Sequence, residues 1–248
     1  MLIENNEVGE ELDFHKVVPD AVRVINKIEQ EYQLIKGLIL TESDLKCHLY
    51  YRLMQKMRYK SPYPTQENMI YANSVHSELP WYDDQNKLTI KPDITILEPG
   101  ALSIVRGVGG RLKLPSKQFE FSGKALIFEL KFIRGKKGIT KRVFDERILP
   151  DLMKIQRLFQ RIDSQGVFGH VFCIFVIFNK TNKVCDEFSE FIKEYGEGDD
   201  YKVVYGTGNV DMDNIENNFS EFPDIRTLNK LGINIPFSSA SRVQNRFL

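Results

Sequence analysis

The chain has 248 residues, 42% hydrophobic and 27% charged, with no net charge, which is typical of one globular domain with or without appendages. It lacks the apolar run of about 18–20 residues that spans a bilayer, and its acidic start does not have the layout of a signal peptide. Its three unclustered cysteines, Cys47, Cys173 and Cys185, exclude a cysteine-rich zinc site and predict a reducing, cytoplasmic location.

The first predicted elements are two helices. Asp20 is a suitable N-cap for a helix that runs to about Lys36, where Gly37 would end it. The segment Thr41-Glu42-Ser43-Asp44 is an acidic variant of a capping box and predicts the start of a second helix. Alternating segments at 75–81 and 88–97 then predict two strands, and the second strand contains Asp93 directly after Pro92.

The segment 125–132 is the most informative of the predicted strands. Glu129 and Lys131 lie two residues apart and would therefore project from the same face, with Phe128, Leu130 and Phe132 on the other face. An acid and a base inside such an apolar strand cost several kcal/mol unless they are paired or bind a metal ion. A divalent metal ion with a phosphate is one explanation, and a salt bridge between the two side chains is the other.

A strongly basic block surrounds this strand. Residues 101–142 contain eleven basic residues against two acidic ones, Glu120 and Glu129, which is a net charge of +9. This block predicts a binding site for a polyanion such as nucleic acid, while a solvated surface balanced by the acidic ends of the chain is the alternative. The residues that we expect to contact nucleic acid are Arg106, Arg111, Lys113, Arg134, Lys136, Lys137, Lys141 and Arg142.

The second half of the chain alternates helices and strands. A helix is predicted over about 143–163, with Pro150 as a kink or as its true start, followed by a wholly apolar strand at 170–178. A short helix at 184–195 and a strand at 201–205 follow. These boundaries predict an N-terminal helical segment (1–40), an α/β domain (41–205) and a C-terminal tail of unknown structure (206–248).

This order of elements, with Pro92-Asp93 on one strand and Glu129-Leu130-Lys131 on the next, resembles the PD-(D/E)xK nuclease superfamily. The resemblance covers roughly residues 41–178, and the long segment 99–122 departs from the usual spacing. It implies a restriction-endonuclease-like α/β fold, in which helices flank a mixed central sheet. It also implies magnesium-dependent cleavage of phosphodiester bonds.

The roles of the motif residues follow from their chemistry. Mg²⁺ takes oxygen ligands and keeps several waters, so Asp93, Glu129 and the backbone carbonyl of Leu130 would be sufficient to hold it, and Mn²⁺ could replace it. Lys131 would orient the attacking water and offset charge in the transition state. Families that this chain resembles often supply a further acid from the helix before the sheet. The resemblance implies this role for Glu42, or alternatively for Asp44, although helix capping explains both residues equally well.

Several other residues have two interpretations. Glu78 would add a carboxylate to the site or lie at a sheet edge. Asp151 and Lys154 would form an acid–lysine pair of the site or an ordinary ion pair one turn apart. Gln156 would approach the site or lie on the surface. The leading hypothesis is a Mg²⁺-dependent deoxyribonuclease, an endonuclease that acts as a monomer or homodimer. The alternative is a non-catalytic nucleic-acid-binding or assembly module of the same fold, and RNA is not excluded as the substrate.

Overall fold

The structure is a computed structural model, and it describes residues 12–56, 62–66, 70–82, 88–104, 119–121, 123–165 and 171–214. Helices flank a central sheet. The helices are α1 (Phe14–Leu34), α2 (Glu42–Lys56), α3 (Leu149–Gln165) and α4 (Asp186–Tyr195). The strands of the central sheet are β1 (Val75–Ser77), β2 (Ile94–Leu97), β3 (Ala125–Ile133), β4 (Val171–Asn179) and β5 (Tyr201–Thr207).

Shorter elements connect these helices and strands. Antiparallel pairs join Tyr63–Pro64 to Tyr71–Ala72, Trp81–Tyr82 to Leu88–Ile90, and Leu102–Ile104 to Phe119–Phe121. A 3₁₀ turn spans Pro99–Ala101. A helical turn at Lys141–Val143 and a π-type turn at Phe144–Ile148 lead directly into α3. Pro150 is the second residue of α3 and not the start of the helical run, and because it has no N–H to donate to the preceding turn, it accounts for the widened turn there.

The central sheet is mixed. Its strand order is β5-β4-β3-β2-β1, in which β3, β4 and β5 are parallel to one another while β2 is antiparallel to both β3 and β1. The predicted α/β class, with helices on a mixed central sheet, is confirmed. Apart from its last residue, Asn179, β4 is apolar; it lies between β5 and β3 and is buried on both faces, as its composition predicts.

Each face of the sheet has its own hydrophobic core. Leu126, Phe128, Leu130 and Phe132 of β3 pack with α1 and α2, whereas Ala125, Ile127 and Ile133 pack with α3 and α4. The alternation of β3 places Glu129 and Lys131 on the α3 face, in a gap of the apolar row between Ile127 and Ile133. The sheet therefore presents the acid and the base of the motif beneath the first turns of α3.

The first helix starts earlier than its sequence suggests. Asp13 is the N-cap, with its side chain accepting a hydrogen bond from the N–H of His15, and α1 runs from Phe14 through Pro19. The predicted start at Asp20 is therefore wrong. Pro19 lies in the second turn of α1, and its side chain is exposed. It has no N–H to donate to the carbonyl of His15, one turn earlier. Because His15 is also exposed, water can satisfy that carbonyl.

Candidate active site

The candidate site begins where β2 stops covering the edge of β3. The last ladder pair at this end joins Ile94 to Phe128, so β2 provides no backbone partner for the later residues of β3. Two carboxylates take its place: Asp93 Oδ2 accepts the N–H of Leu130 at 2.9 Å, and Glu42 Oε2 accepts the N–H of Phe132, also at 2.9 Å. Two acids from distant parts of the chain thus line one edge of β3.

The capping box of α2 explains why Glu42 is available for this role. Thr41 Oγ1 accepts the N–H of Asp44 at 3.1 Å, and Asp44 Oδ2 accepts the N–H of Thr41 at 2.8 Å. The reciprocal pair predicted for a capping box is confirmed. Asp44 therefore caps the helix, and Glu42 extends toward β3.

Asp93 and Glu129 lie side by side at this edge. Continuing the antiparallel register by one residue beyond Ile94 places Asp93 next to Glu129, with the Asp93 carboxylate at the edge of β3. Burial raises the pKa of Glu129 to about 7, and the charges of Asp93 and Asp151 act in the same direction. Burial also raises the pKa of Asp93, against the effect of the Leu130 N–H. The two carboxylates thus form a partly desolvated pair of like charges, which a bound cation would relieve.

Lys131 pairs with an acid of α3, and not with Glu129. Its Nζ lies 2.5 Å from Asp151 Oδ2, and the side chains of the two residues are only 15% and 10% exposed. The other carboxylate oxygen of Asp151 binds Lys154 Nζ, also at 2.5 Å, so the predicted ion pair between Asp151 and Lys154 is confirmed. Burial works to raise the pKa of Asp151, but the hydrogen bonds from both lysines leave it lowered. Asp151 thus stays ionised and holds the Lys131 ammonium on the face that carries Glu129.

A second carboxylate with two lysines lies on the other side of Asp93. Glu78 Oε1 binds Lys46 Nζ at 2.6 Å, and Glu78 Oε2 binds Lys91 Nζ at 2.5 Å. These hydrogen bonds lower the pKa of Glu78 to about 2 and raise the pKa of Lys46. Sequence reasoning considered Glu78 but missed Lys46 and Lys91. The available signal was the position of Lys46 one helical turn after Glu42, and therefore on the same face of α2.

The donor groups fit a hard divalent cation better than a softer metal. Among the described residues, no group of three or more His, Cys, Asp and Glu side chains is arranged to hold a metal ion. The donors at the edge are the carboxylates of Asp93 and Glu129 and the carbonyl of Leu130, which faces the Asp93 side of β3 as its N–H does. All are oxygens, and Mg²⁺ takes oxygen ligands and completes its shell with waters. The residues present therefore fit the implied magnesium ion.

The predicted nucleic-acid contacts divide into two groups. Arg106, Arg111 and Lys113 lie outside the described residues. Arg134, Lys136 and Lys137 are exposed in the loop that directly follows β3, and Lys141 and Arg142 are exposed at the next helical turn. Lys141 binds Glu187 and Arg142 binds Glu146, at 2.8 and 2.9 Å. Arg134 is three residues beyond Lys131, about 10 Å along the strand, so this loop adjoins the site.

Gln156 does not join the carboxylate edge. It lines a cavity of about 250 Å³ that is mostly apolar, together with Leu152, Phe159, Cys173 and Tyr201, between α3, α4 and the sheet. Of the helix residues considered from sequence, Asp151 thus reaches the site, whereas Gln156 is placed in a different environment.

Comparisons with known proteins identify no relative: neither a family model, nor a curated protein, nor a solved structure matches this chain. Within the described parts of the chain, none of the helices has the length and apolar character to cross a membrane.

The raised pKa of Glu129 predicts a specific pH dependence of stability in the metal-free protein. Between about pH 4.5 and 7 the unfolded chain has lost the proton from this residue and the folded chain keeps it, so its contribution to the free energy of unfolding falls as the pH rises. The total change is on the order of 3 kcal/mol. Urea denaturation in EDTA, at several pH values, should show this fall in wild type relative to Glu129→Gln. A difference between the two proteins that does not vary with pH would contradict the assignment.

Proposed function

We propose that this protein is a metal-dependent nuclease with a restriction-endonuclease-like fold, which hydrolyses phosphodiester bonds within DNA. The observation that carries the proposal is the position of Glu129 beside Asp93, with Lys131 two residues further along the same face. A purely structural role, in which carboxylates accept the uncovered N–H groups of β3, would explain Asp93 and Glu42. It does not explain a second half-buried carboxylate next to Asp93, because two like charges there cost free energy unless a cation is bound.

The chain's own residues supply binding, positioning and charge. Asp93, Glu129 and the Leu130 carbonyl would hold Mg²⁺ or Mn²⁺. When bound, such an ion polarises a phosphate and lowers the pKa of a coordinated water. Lys131 presents its ammonium on the same face, where it can orient the attacking water and stabilise negative charge on the phosphate oxygens. Asp151 acts through Lys131 as a positioning residue, and Glu42 fixes α2 against β3 beside Asp93.

A second candidate function is non-catalytic binding of nucleic acid by the same fold. The exposed basic loop after β3, with Arg134, Lys136 and Lys137, favours it, because counterion release alone can supply non-specific affinity. Such a module would not need a metal ion for binding. Metal dependence therefore separates the two functions.

The decisive experiment is incubation of the purified protein with supercoiled plasmid, single-stranded DNA and RNA, each with Mg²⁺, Mn²⁺ or EDTA. We expect nicking or linearisation of the plasmid with either metal and none with EDTA. Asp93→Asn serves as the inactive reference, since the amide can still accept the N–H of Leu130 but weakens metal binding. Salt-sensitive binding without cleavage of any substrate would support the binding module instead, and preferential cleavage of RNA would correct the substrate.

A further inference from the structure

A cluster of charged residues lies beside Asp93 and is separate from the pair of Lys131 and Asp151. Lys46 of α2 and Lys91 before β2 converge on Glu78, which follows β1. Lys46 Nζ also lies 3.7 Å from Asp93 Oδ1, the oxygen of Asp93 that does not bind the N–H of Leu130. The cluster of Lys46, Glu78 and Lys91 carries one negative and two positive charges, and so has an excess positive charge next to the candidate metal ligands.

The backbone at Glu78 is strained in a way that an ordinary surface ion pair does not require. Its φ is +54°, in the left-handed region that residues other than glycine rarely adopt. Its N–H donates to the carbonyl of Asp93 at 3.0 Å, so the turn after β1 is attached to the residue that enters β2. Strain of this kind is unfavourable and persists where the surrounding structure imposes it, often at functional sites. An exposed ion pair contributes little stability of its own.

The three side chains differ in exposure in a way that suits binding of an external anion. Lys46 is 19% exposed, so its stem is packed and its ammonium has little freedom, while Lys91 and Glu78 are about half exposed. The ammonium of Lys46 therefore lies at the bottom of the cluster next to Asp93, and that of Lys91 lies at the solvent side. An ammonium is a compact donor suited to a phosphate oxygen.

We propose that the cluster of Lys46, Glu78 and Lys91 is a phosphate subsite, which binds the backbone phosphate of the nucleic acid next to the one that is cleaved. Lys46 and Lys91 contact the phosphate, and Glu78 is a positioning residue that holds the two ammonium groups together in the absence of substrate. This inference rests on the proposed function, because it names the part of the substrate that the site recognises outside the reacting bond.

The first test measures binding without metal. The affinity of a labelled DNA duplex is measured in EDTA over a range of salt concentrations for wild type, Lys46→Gln and Lys91→Gln. Each phosphate contact contributes about 0.9 to the slope of log affinity against log salt, so each variant should lose about that amount. Lys202→Gln is the matched control, because Lys202 is paired with Glu197 at 2.8 Å on β5, at the opposite edge of the sheet. Its slope should equal that of wild type.

The second test separates positioning from general charge. Glu78→Asn keeps a residue type that tolerates the left-handed backbone and removes the carboxylate. Its DNA affinity in EDTA should not fall, because a negative charge has been removed, whereas its kcat with Mg²⁺ should fall at least tenfold with little change in KM. An unchanged slope for Lys46→Gln, or an equal loss for Lys202→Gln, overturns the subsite, as does an unchanged kcat for a folded Glu78→Asn.

The two proposals fail separately. A wild type that binds DNA without cleaving any substrate, while Lys46→Gln loses slope, would refute the nuclease and the position of the subsite beside a cleaved bond, and would leave the cluster as a phosphate-binding site. Metal-dependent cleavage with an unchanged slope for Lys46→Gln would refute the subsite and leave the nuclease. Absence of any DNA binding by wild type would overturn the subsite directly.

Discussion

The Lys131→Ala variant is expected to lose DNA cleavage by about 10²–10⁴-fold while it retains DNA binding in EDTA, because the ammonium acts on the attacking water and on developing charge. Its position supports this expectation. Lys131 is 15% exposed and lies on the strand and face that carry Glu129, so its ammonium is directed into the site by Asp151 and not into solvent. The measurement is the single-turnover cleavage rate at saturating enzyme, compared with the affinity for the same DNA.

The chain offers a matched control for this prediction. Lys154 binds the same carboxylate at the same distance, 2.5 Å, but is 63% exposed and lies on α3. Lys154→Ala should therefore change the rate less than about threefold, since an exposed ion pair contributes little. Equal losses in the two variants would indicate that both lysines act through Asp151, and an unchanged rate in Lys131→Ala would refute its assigned role.

The central sheet and its charged strand were predictable because their signals are local. The alternation around Glu129 and Lys131 shows directly that the two side chains share a face, and the structure places both on the α3 side of β3. The apolar run of β4 similarly indicates an interior strand. In contrast, the start of α1 was mispredicted because Asp20 has the local character of an N-cap, whereas Asp13 is the N-cap in the structure and the exposed Pro19 is tolerated within the helix.

The remaining parts of the site depend on contacts between distant residues. Glu42 and Asp44 are equivalent as sequence signals, and only the packing of α2 against β3 shows that Glu42 binds the N–H of Phe132, 90 residues away. Lys46 and Glu78 are likewise 32 residues apart. Local patterns do not identify such pairs: the spacing of Lys46 from Glu42 places both on one face of α2 but does not show which distant acid Lys46 binds. The nuclease function is proposed from these contacts between distant residues, and the sheet alone would not be sufficient to propose it.

The free energy of unfolding should respond strongly to Asp151, and in a way that depends on Lys131. Asp151→Leu leaves the Lys131 ammonium largely buried without its partner, and breaking such a pair from one side costs about 3–5 kcal/mol. Replacing both residues, as Asp151→Leu with Lys131→Met, removes the unpaired charge and fills the space with apolar side chains next to the α3 core. The double variant should therefore be more stable than Asp151→Leu alone.

A double-mutant cycle measured by urea denaturation of the four proteins tests this coupling. We expect a coupling free energy of about 1–3 kcal/mol between positions 131 and 151. The same cycle for Asp151 with Lys154→Met should give less than about 1 kcal/mol, because Lys154 can return to water when its partner is removed. If the two cycles gave equal coupling, burial would not distinguish the two lysines. Asp151 would then be an ordinary helix ion-pair residue and not the residue that positions Lys131.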